Sequence, residues 1–265
     1  MNVIKKEIAQ NLKFLVIWIS VISLFILMFA AVTNFIVKEN NPILGLVNKL
    51  PENMLKAFNI EIELLSKPEG IYGTEGMTFM YIFFGIFASL ISSKIYASEF
   101  DEKTIEYILL KPVSKIKLFI EKFISVLIIL LILFIVFLIS EHSSFSLYVK
   151  NFDPKILNIF SIYTLITSVF FSSTAILFSN IYRKRKIANS LSIALVFIMF
   201  FLESVTKEVE NFEFLRKFSI FHYLSTIEVI KTKSINYAGI IVFLAFSLII
   251  FGISLYIFKK EDILI

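Results

Sequence analysis

Six long apolar stretches dominate the sequence, each free of charged side chains and each bounded by a charged residue at both ends. A transmembrane helix needs roughly 20 largely apolar residues, because the hydrocarbon core of a bilayer is about 30 Å thick. The pattern therefore predicts six crossings, at residues 14–37, 76–93, 123–140, 156–182, 187–202 and 234–258. The fifth is the shortest and would rise about 24 Å as a helix, but Lys186 and Glu203 at its ends can reach the headgroups.

Composition agrees with this pattern. The chain is 58% hydrophobic and 18% charged, whereas soluble domains are about half apolar and about a quarter charged. With only 7 Gly and 5 Pro among 265 residues, the apolar stretches are not broken into short strands and turns. We therefore predict an all-α integral membrane protein that forms a single domain over residues 1–265 and uses the lipid bilayer as its main solvent.

Charge and metal-ligating residue types exclude several classes of function. No cysteine is present, which excludes disulfides and thiolate metal sites. His142 and His222 alone would make a poor zinc site, so no metal site is predicted. The net charge of +5 is typical of membrane-protein loops that face anionic lipid and cytoplasm. We expect no nucleic-acid partner.

The positions of Lys and Arg predict that both termini lie in the cytoplasm. Basic residues are denser before residue 14, in 94–122, in 183–186 and after 258 than in the segments between them, and cytoplasmic loops carry such an excess. The run RKRK at 183–186 is the sharpest marker. The first apolar stretch is far longer than the apolar region of a secretory signal, so we interpret it as an uncleaved first helix.

Two predicted outer segments, 38–75 and 203–233, are too polar to cross the membrane and too apolar to be plain loops. Both contain apolar residues at helical spacing, which predicts short amphipathic interfacial helices. These residues are Met54, Leu55 and Phe58 in the first segment, and Phe212, Phe214, Leu215, Phe218 and Phe221 in the second. Such helices could form an outer gate or could simply connect the crossings.

The longest cytoplasmic segment, 94–122, reads KIYASEFDEKTIEYILLKPVSKIKLFIEK. Ser98 with Asp101 three residues later resembles a capping box, which predicts that a helix begins there. This helix should end near Lys111, because Pro112 restricts the residue before it and cannot donate a backbone hydrogen bond. Ser114 can then cap a second helix that runs into the third crossing.

The first of these cytoplasmic helices is amphipathic but too short to be stable alone. Its apolar face holds Ile105, Ile108 and Leu109. That face needs a surface, which could be the bilayer, the ends of neighbouring helices, or a partner protein. Mixed charge in SEFDEKTIE favours a protein, because a helix adapted to anionic lipid is usually more uniformly basic.

Three stretches of the chain resemble the type-2 ABC transporter permeases (ABC-2 family), membrane subunits that pair with a separate ATPase in bacterial exporters. They are LPENMLKAFNIEIELLSKPEG, EFDEKTIEYILLKPVSKIKLFIEKF, and FSIFHYLSTIEVIKTKS with the closing FKKEDI. The second stretch matches the family pattern at Glu99, Thr104, Glu106, Pro112, Ser114 and Lys122. Lys103 stands where the family usually has Gly, and Ile220 replaces a Pro.

The resemblance implies that the segment after the second crossing docks in a groove of the ATPase. The residues that would couple the two proteins are Glu99, Asp101, Thr104, Glu106, Ile108, Leu109 and Pro112. It also implies a second permease copy or paralogue, giving a homodimer or heterodimer, in a bacterial cytoplasmic membrane. Export of a peptide, antibiotic, lipid-like or ionic cargo would be expected.

The chain lacks the chemistry that would let it use ATP itself. It contains no G-x-x-x-x-G-K-[ST] loop to hold phosphate, so it is predicted not to be an enzyme, with ATP and Mg bound by the partner ATPase. Ionisable residues within a crossing often mark a proton path, and none lies within the predicted crossings. A secondary transporter is therefore less favoured, and a non-transporting scaffold or receptor that holds a cytoplasmic partner is the other alternative.

Hydroxyl side chains are unusually frequent in the fourth predicted crossing. Four of them are candidates for a cargo path: Thr164, Thr167, Ser168 and Ser172. The alternative is that these small polar residues allow close helix packing and hydrogen bonds between helices.

Overall fold

The computed structural model describes residues 3–37, 64, 67–105, 114–206 and 213–260. Its long helices are α1 (Val3–Val37), α3 (Met77–Asp101), α4 (Lys115–Tyr148), α5 (Pro154–Tyr182), α6 (Arg185–Thr206) and α10 (Tyr237–Lys260). The short ones are α2 (Pro68–Ile71), α7 (Glu213–Arg216), α8 (Ile220–Tyr223) and α9 (Thr226–Thr232). A π-turn, Tyr72–Gly76, joins α2 to α3 without a break.

Six helices are long and apolar enough to cross a membrane, and the described residues contain no strand. The predicted all-α membrane fold with six spanning helices is therefore confirmed. Each predicted crossing lies largely within one helix, although the second starts in the π-turn at Gly76 and the sixth starts at residue 234, before α10 begins at Tyr237. Several helices extend well beyond the apolar stretches: α1 begins at Val3, and α4 continues to Tyr148. Most charged residues that flank the stretches lie inside the helices, because a helix can present polar side chains once it leaves the hydrocarbon.

Helices α3 and α5 form the centre of the bundle. Their apolar segments are 72% and 78% buried, compared with 17% to 33% in the other spanning helices. The two helices pack against each other, α6 and α10 lie against them, and α1 packs along α4. Small side chains allow this close approach, and the hydroxyls of Ser92 and Ser172 meet across the α3–α5 interface at 2.8 Å.

The π-turn brings the start of α3 close to α5 and α9. A Cβ added at Gly73 would lie 2.7 Å from Ile230 Cδ1 and 2.7 Å from Phe160 Cζ, so only glycine fits without movement. The Thr226 hydroxyl donates to the carbonyl oxygen of Gly73 at 2.6 Å. A main-chain carbonyl in the turn is thus bonded by a side chain from a different helix.

The expected helix start at Ser98 is wrong. Helix α3 runs through this position to Asp101, and the amide of Glu102 donates to the carbonyl of Ser98 at 2.8 Å. Because the preceding turn already provides the backbone hydrogen bonds, no cap is needed there. Lys103 follows with φ of 56°, the left-handed conformation that glycine adopts most easily. The second expected cap is confirmed, since Ser114 accepts from the amide of Lys117 at 3.2 Å where α4 begins.

The segment between α6 and α10 contains short helices, as expected, but its predicted apolar face is divided. Phe214 and Phe218 are 56% and 66% exposed, whereas Phe221 is buried and stacks on Tyr81 with ring centroids 5.5 Å apart. The division falls at Ser219, which has an extended backbone and caps a new helix, so Phe221 does not continue the helical face of Phe214 and Phe218. Met54, Leu55, Phe58 and Phe212 lie outside the described residues.

Candidate functional site

An ion pair joins the start of the predicted coupling segment to the start of α4. Lys122 donates from Nζ to the carboxylate of Glu99 and, at 2.8 Å, to the carbonyl of Ile95. The Lys122 side chain is only 3% exposed, and the Glu99 side chain is 12% exposed. A buried charge is costly unless it is paired and hydrogen-bonded, and this ammonium has both kinds of partner.

Helix α1 reaches the same pair. Lys6 Nζ lies 3.7 Å from Glu99 Oε1, and Glu7 is buried at the same end of the bundle. Glu99 is therefore the point at which charges from α1, α3 and α4 meet. The first crossing was predicted to begin only at residue 14, so Lys6 and Glu7 were not predicted as site residues. Extending the predicted helix from residue 14 towards the N-terminus could have placed both residues beside the bundle.

The other predicted coupling residues differ in placement. Asp101 is exposed at the end of α3, next to exposed Glu102. Thr104 is half-buried, and its amide donates back to the carbonyl of Glu99 at 2.9 Å. Ile105, on the predicted apolar face, is buried. Glu106, Ile108, Leu109 and Pro112 lie outside the described residues.

Aromatic side chains fasten the end of α10 to this part of the bundle. The ring of Phe258 lies 6.1 Å from Phe100 on α3 and 5.2 Å from Phe119 on α4. The hydroxyl of Tyr96 donates to the carbonyl of Phe119 at 2.7 Å. The start of the predicted coupling segment therefore contacts α1, α4 and α10, so that a displacement of Glu99 or Phe100 would act on all three helices.

The four candidate cargo-path hydroxyls lie inside the helix bundle. Thr164, Thr167, Ser168 and Ser172 are all fully buried. The first three donate to carbonyls of their own helix, at 2.7 to 2.9 Å, and Ser172 meets Ser92 of α3. In this conformation the hydroxyls serve helix packing, and their role on a cargo path stays a prediction.

The sequence also did not indicate a buried acid on α4. Glu141 was expected in the segment after the third crossing, but α4 continues past it and its side chain is fully buried. Its Oε2 accepts from the hydroxyl of Ser161 on α5 at 2.6 Å. The burial of Glu141 could have been predicted from helical register, because Glu141 continues the buried face that holds Leu133 and Phe137.

A cavity of about 250 Å³ lies between α3, α6, α8 and α9, at the end of the bundle opposite the coupling segment. Glu75 of the π-turn and Glu203 of α6 line it together with Tyr81, Phe200 and Phe221. Glu203 pairs with Arg216, with Oε1 2.8 Å from Nη2. The sequence placed both acids at the predicted outer ends of crossings but gave no sign that they share a cavity.

Comparison with protein families agrees with the fold. The sequence pattern of the ABC-2 family transporter protein matches residues 1–263. Curated proteins give no match to this chain. Because the family pattern covers nearly the whole chain, including all six spanning helices, this protein belongs to the ABC-2 family of transporter permeases.

Proposed function

We propose that this chain is the permease subunit of an ATP-driven exporter in a bacterial cytoplasmic membrane, energised by a separate ABC ATPase that docks on residues 99–112. A second permease copy or a paralogue would complete the transporter. The observation that carries the proposal is the position of Glu99, which lies at the start of this segment and is bonded to Lys122. ATP and Mg would be bound by the partner ATPase.

Two neighbouring acids at the end of α3 suit two different tasks. The exposed carboxylate of Asp101 is free to meet a partner surface, whereas that of Glu99 points inward onto Lys122. A docked ATPase that moved the 99–112 segment would move Glu99 with it, and a buried ion pair would carry that movement to α1 and α4. Such a link would couple nucleotide-driven closure to a shift between inward-open and outward-open states.

Docking can be tested by cross-linking, because the chain contains no cysteine. Asp101→Cys should cross-link to cysteines placed in the groove of the co-expressed ATPase. Lys150→Cys, exposed at the other end of α4, is the matched control and should not. Cross-linking of both positions, or of neither, would contradict the proposed docking surface.

Coupling can be tested at two positions of the predicted apolar face. Replacing Ile108 and Leu109 together by Asp should remove roughly 1.5 to 3 kcal/mol of apolar burial for each side chain and bury unpaired carboxylates. The variant should still insert into the membrane, because neither residue lies in a predicted crossing, but co-purification of the ATPase and cargo-stimulated hydrolysis should fall together. A variant that inserts, retains the ATPase and transports normally would refute the assignment of this segment.

Orientation has its own test. Lys150, Lys184 and Lys259 are exposed near the ends of spanning helices, and each can be replaced by cysteine. An impermeant thiol reagent applied from outside should label Lys150→Cys only, while the other two should react only after the membrane is opened. Labelling of Lys184→Cys from outside would reverse the proposed orientation with both termini in the cytoplasm.

A further inference from the structure

The cavity between α3, α6, α8 and α9 is lined by acidic, hydroxyl and aromatic side chains. Among its lining residues are two carboxylates, Glu75 and Glu203, and no Lys, Arg or His. Its volume of about 250 Å³ lies just below the range of drug-sized ligand pockets, about 300 to 1,000 Å³. The space suits one functional group with a short apolar stem rather than a whole peptide.

The two carboxylates differ in what they already bind. Glu203 accepts from both Nη2 and Nε of Arg216, at 2.8 and 3.3 Å, and His222 Nδ1 lies 3.7 Å from its Oε2. Glu75 is exposed and has no ion pair with any residue that the structure describes. Among the residues that the structure describes, Glu75 therefore has no cationic partner, and its negative charge on the π-turn is available to a ligand.

Three threonine hydroxyls around the cavity donate their protons to main-chain carbonyls. Thr74 donates to the carbonyl of Gly70 at 2.9 Å, Thr78 to that of Thr74 at 2.6 Å, and Thr226 to that of Gly73 at 2.6 Å. Their oxygen lone pairs remain available as acceptors. At these three positions a ligand would meet hydrogen-bond acceptors and would supply the donors itself.

Part of the lining is aromatic. Phe200 and the stacked pair of Tyr81 and Phe221 form part of it. Aromatic faces attract cations, and they also accept the carbon stem that carries the cation. The negative charge, the acceptors and the aromatic rings all favour a cationic ligand that carries an apolar stem.

We propose that this cavity is a binding site for an organic cation, a primary ammonium group on a short apolar stem, with Glu75 as its counter-ion. The site does not depend on the ATPase, and it goes beyond the coupling role assigned to the other end of the bundle. Ligand binding there would bridge the π-turn, α6 and the helices α8 and α9, the segments that meet around the cavity.

The test uses purified permease without any ATPase and two probes that differ only in charge. 4-Phenylbutylammonium should bind in isothermal titration calorimetry, whereas 4-phenylbutanol, with the same stem, should bind at least about tenfold more weakly. Glu75→Gln should weaken ammonium binding about tenfold or more and leave binding of the alcohol unchanged. Glu228→Gln, an exposed acid on α9 that does not line the cavity, is the matched control and should bind like the wild type.

A second variant keeps the test decisive if Glu75→Gln is poorly folded. Phe200→Ala removes an aromatic ring from the wall and should weaken binding of both probes. Equal affinity for the ammonium and the alcohol, or unchanged ammonium binding in folded Glu75→Gln, would overturn the proposal. Either result would leave the ATPase-coupling proposal intact, because docking is measured separately by cross-linking through Asp101→Cys.

Discussion

Lys122 of α4 bonds α3 at two points one helical turn apart, the carboxylate of Glu99 and the carbonyl of Ile95. The carbonyl lies near the end of the predicted second crossing, and the carboxylate lies at the start of the predicted coupling segment. The Lys122 ammonium therefore connects the start of the predicted coupling segment to α3, which precedes it, and to α4, which follows it.

Breaking this pair should destabilise the protein strongly. Lys122→Met leaves Glu99 without its buried partner, and Glu99→Gln leaves the Lys122 charge uncompensated, so each should lower the free energy of unfolding by about 3 to 5 kcal/mol. The double variant should recover much of this loss, because it removes both charges. Unfolding in detergent, titrated with SDS, measures all three.

The control for these Glu99 and Lys122 variants is a second ion pair on α4. Glu121 lies 3.9 Å from Lys117, whose side chain is 69% exposed, so Glu121→Gln should change stability little. Additive losses in the Glu99 and Lys122 double variant would show that the two charges do not stabilise each other.

The hydrogen bond between Ser161 and Glu141 predicts a second effect on stability. Ser161→Ala removes a donor from a fully buried carboxyl group, which should cost about 1 to 3 kcal/mol. Ser168→Ala is the matched control, because that hydroxyl is equally buried but donates to a carbonyl of its own helix. In thermal unfolding, Ser161→Ala should therefore have the lower melting temperature of the two variants. Equal melting temperatures would contradict the structural role of Glu141.

The contact at Gly73 predicts a clash that can be relieved. Gly73→Ala places a methyl group 2.7 Å from both Ile230 and Phe160, and overpacking of this kind typically costs about 1 to 3 kcal/mol. Shortening the flexible neighbour relieves one of the two contacts, so Gly73→Ala should cost less stability in an Ile230→Ala background than in the wild type. If Gly73→Ala by itself unfolds like the wild type, the π-turn does not pack against α9 as described.

An ion pair between α5 and the end of α9 predicts a pH dependence. The hydrogen bond from Lys233, 2.8 Å long, holds the pKa of Asp153 below its usual 3.8 and raises the pKa of Lys233 above 10.5. The stabilisation is therefore complete above the usual pKa of Asp153 and is lost as the pH falls through its lowered pKa. On the alkaline side it is present below the usual pKa of Lys233 and is lost as the pH rises through the raised one.

Asp153→Asn tests this dependence, because Asn keeps the helix cap on Lys155 while removing the charge. The melting temperature of the variant should be slightly lower than that of the wild type between about pH 5 and 9, since exposed pairs contribute little. The difference should disappear in acid, where Asp153 is protonated in both the folded and the unfolded protein. A difference that persists in strong acid would assign the effect to the cap rather than to the ion pair.

Local sequence was enough to predict the six spanning helices and the cap at Ser114. Each crossing needs its own run of about 20 apolar residues, and a capping serine acts within three residues of itself. The same local reasoning failed at Ser98, where a capping pattern lies inside a helix that had already begun. A side-chain pattern cannot reveal that the backbone is already hydrogen-bonded by the preceding turn.

The sequence by itself determined that the chain is a six-helix membrane protein with a charged segment after its second spanning helix, because those properties depend only on neighbouring residues. Tertiary structure alone decided that Glu99 turns inward onto Lys122, that Glu141 is buried against Ser161, and that Glu75 and Glu203 share a cavity. These partners are 20 to 128 residues apart in the sequence. The packing of the helices decides which of these side chains meet. The neighbours of a charged or polar side chain then determine whether it makes a surface contact, joins two helices in the interior or lines a binding cavity.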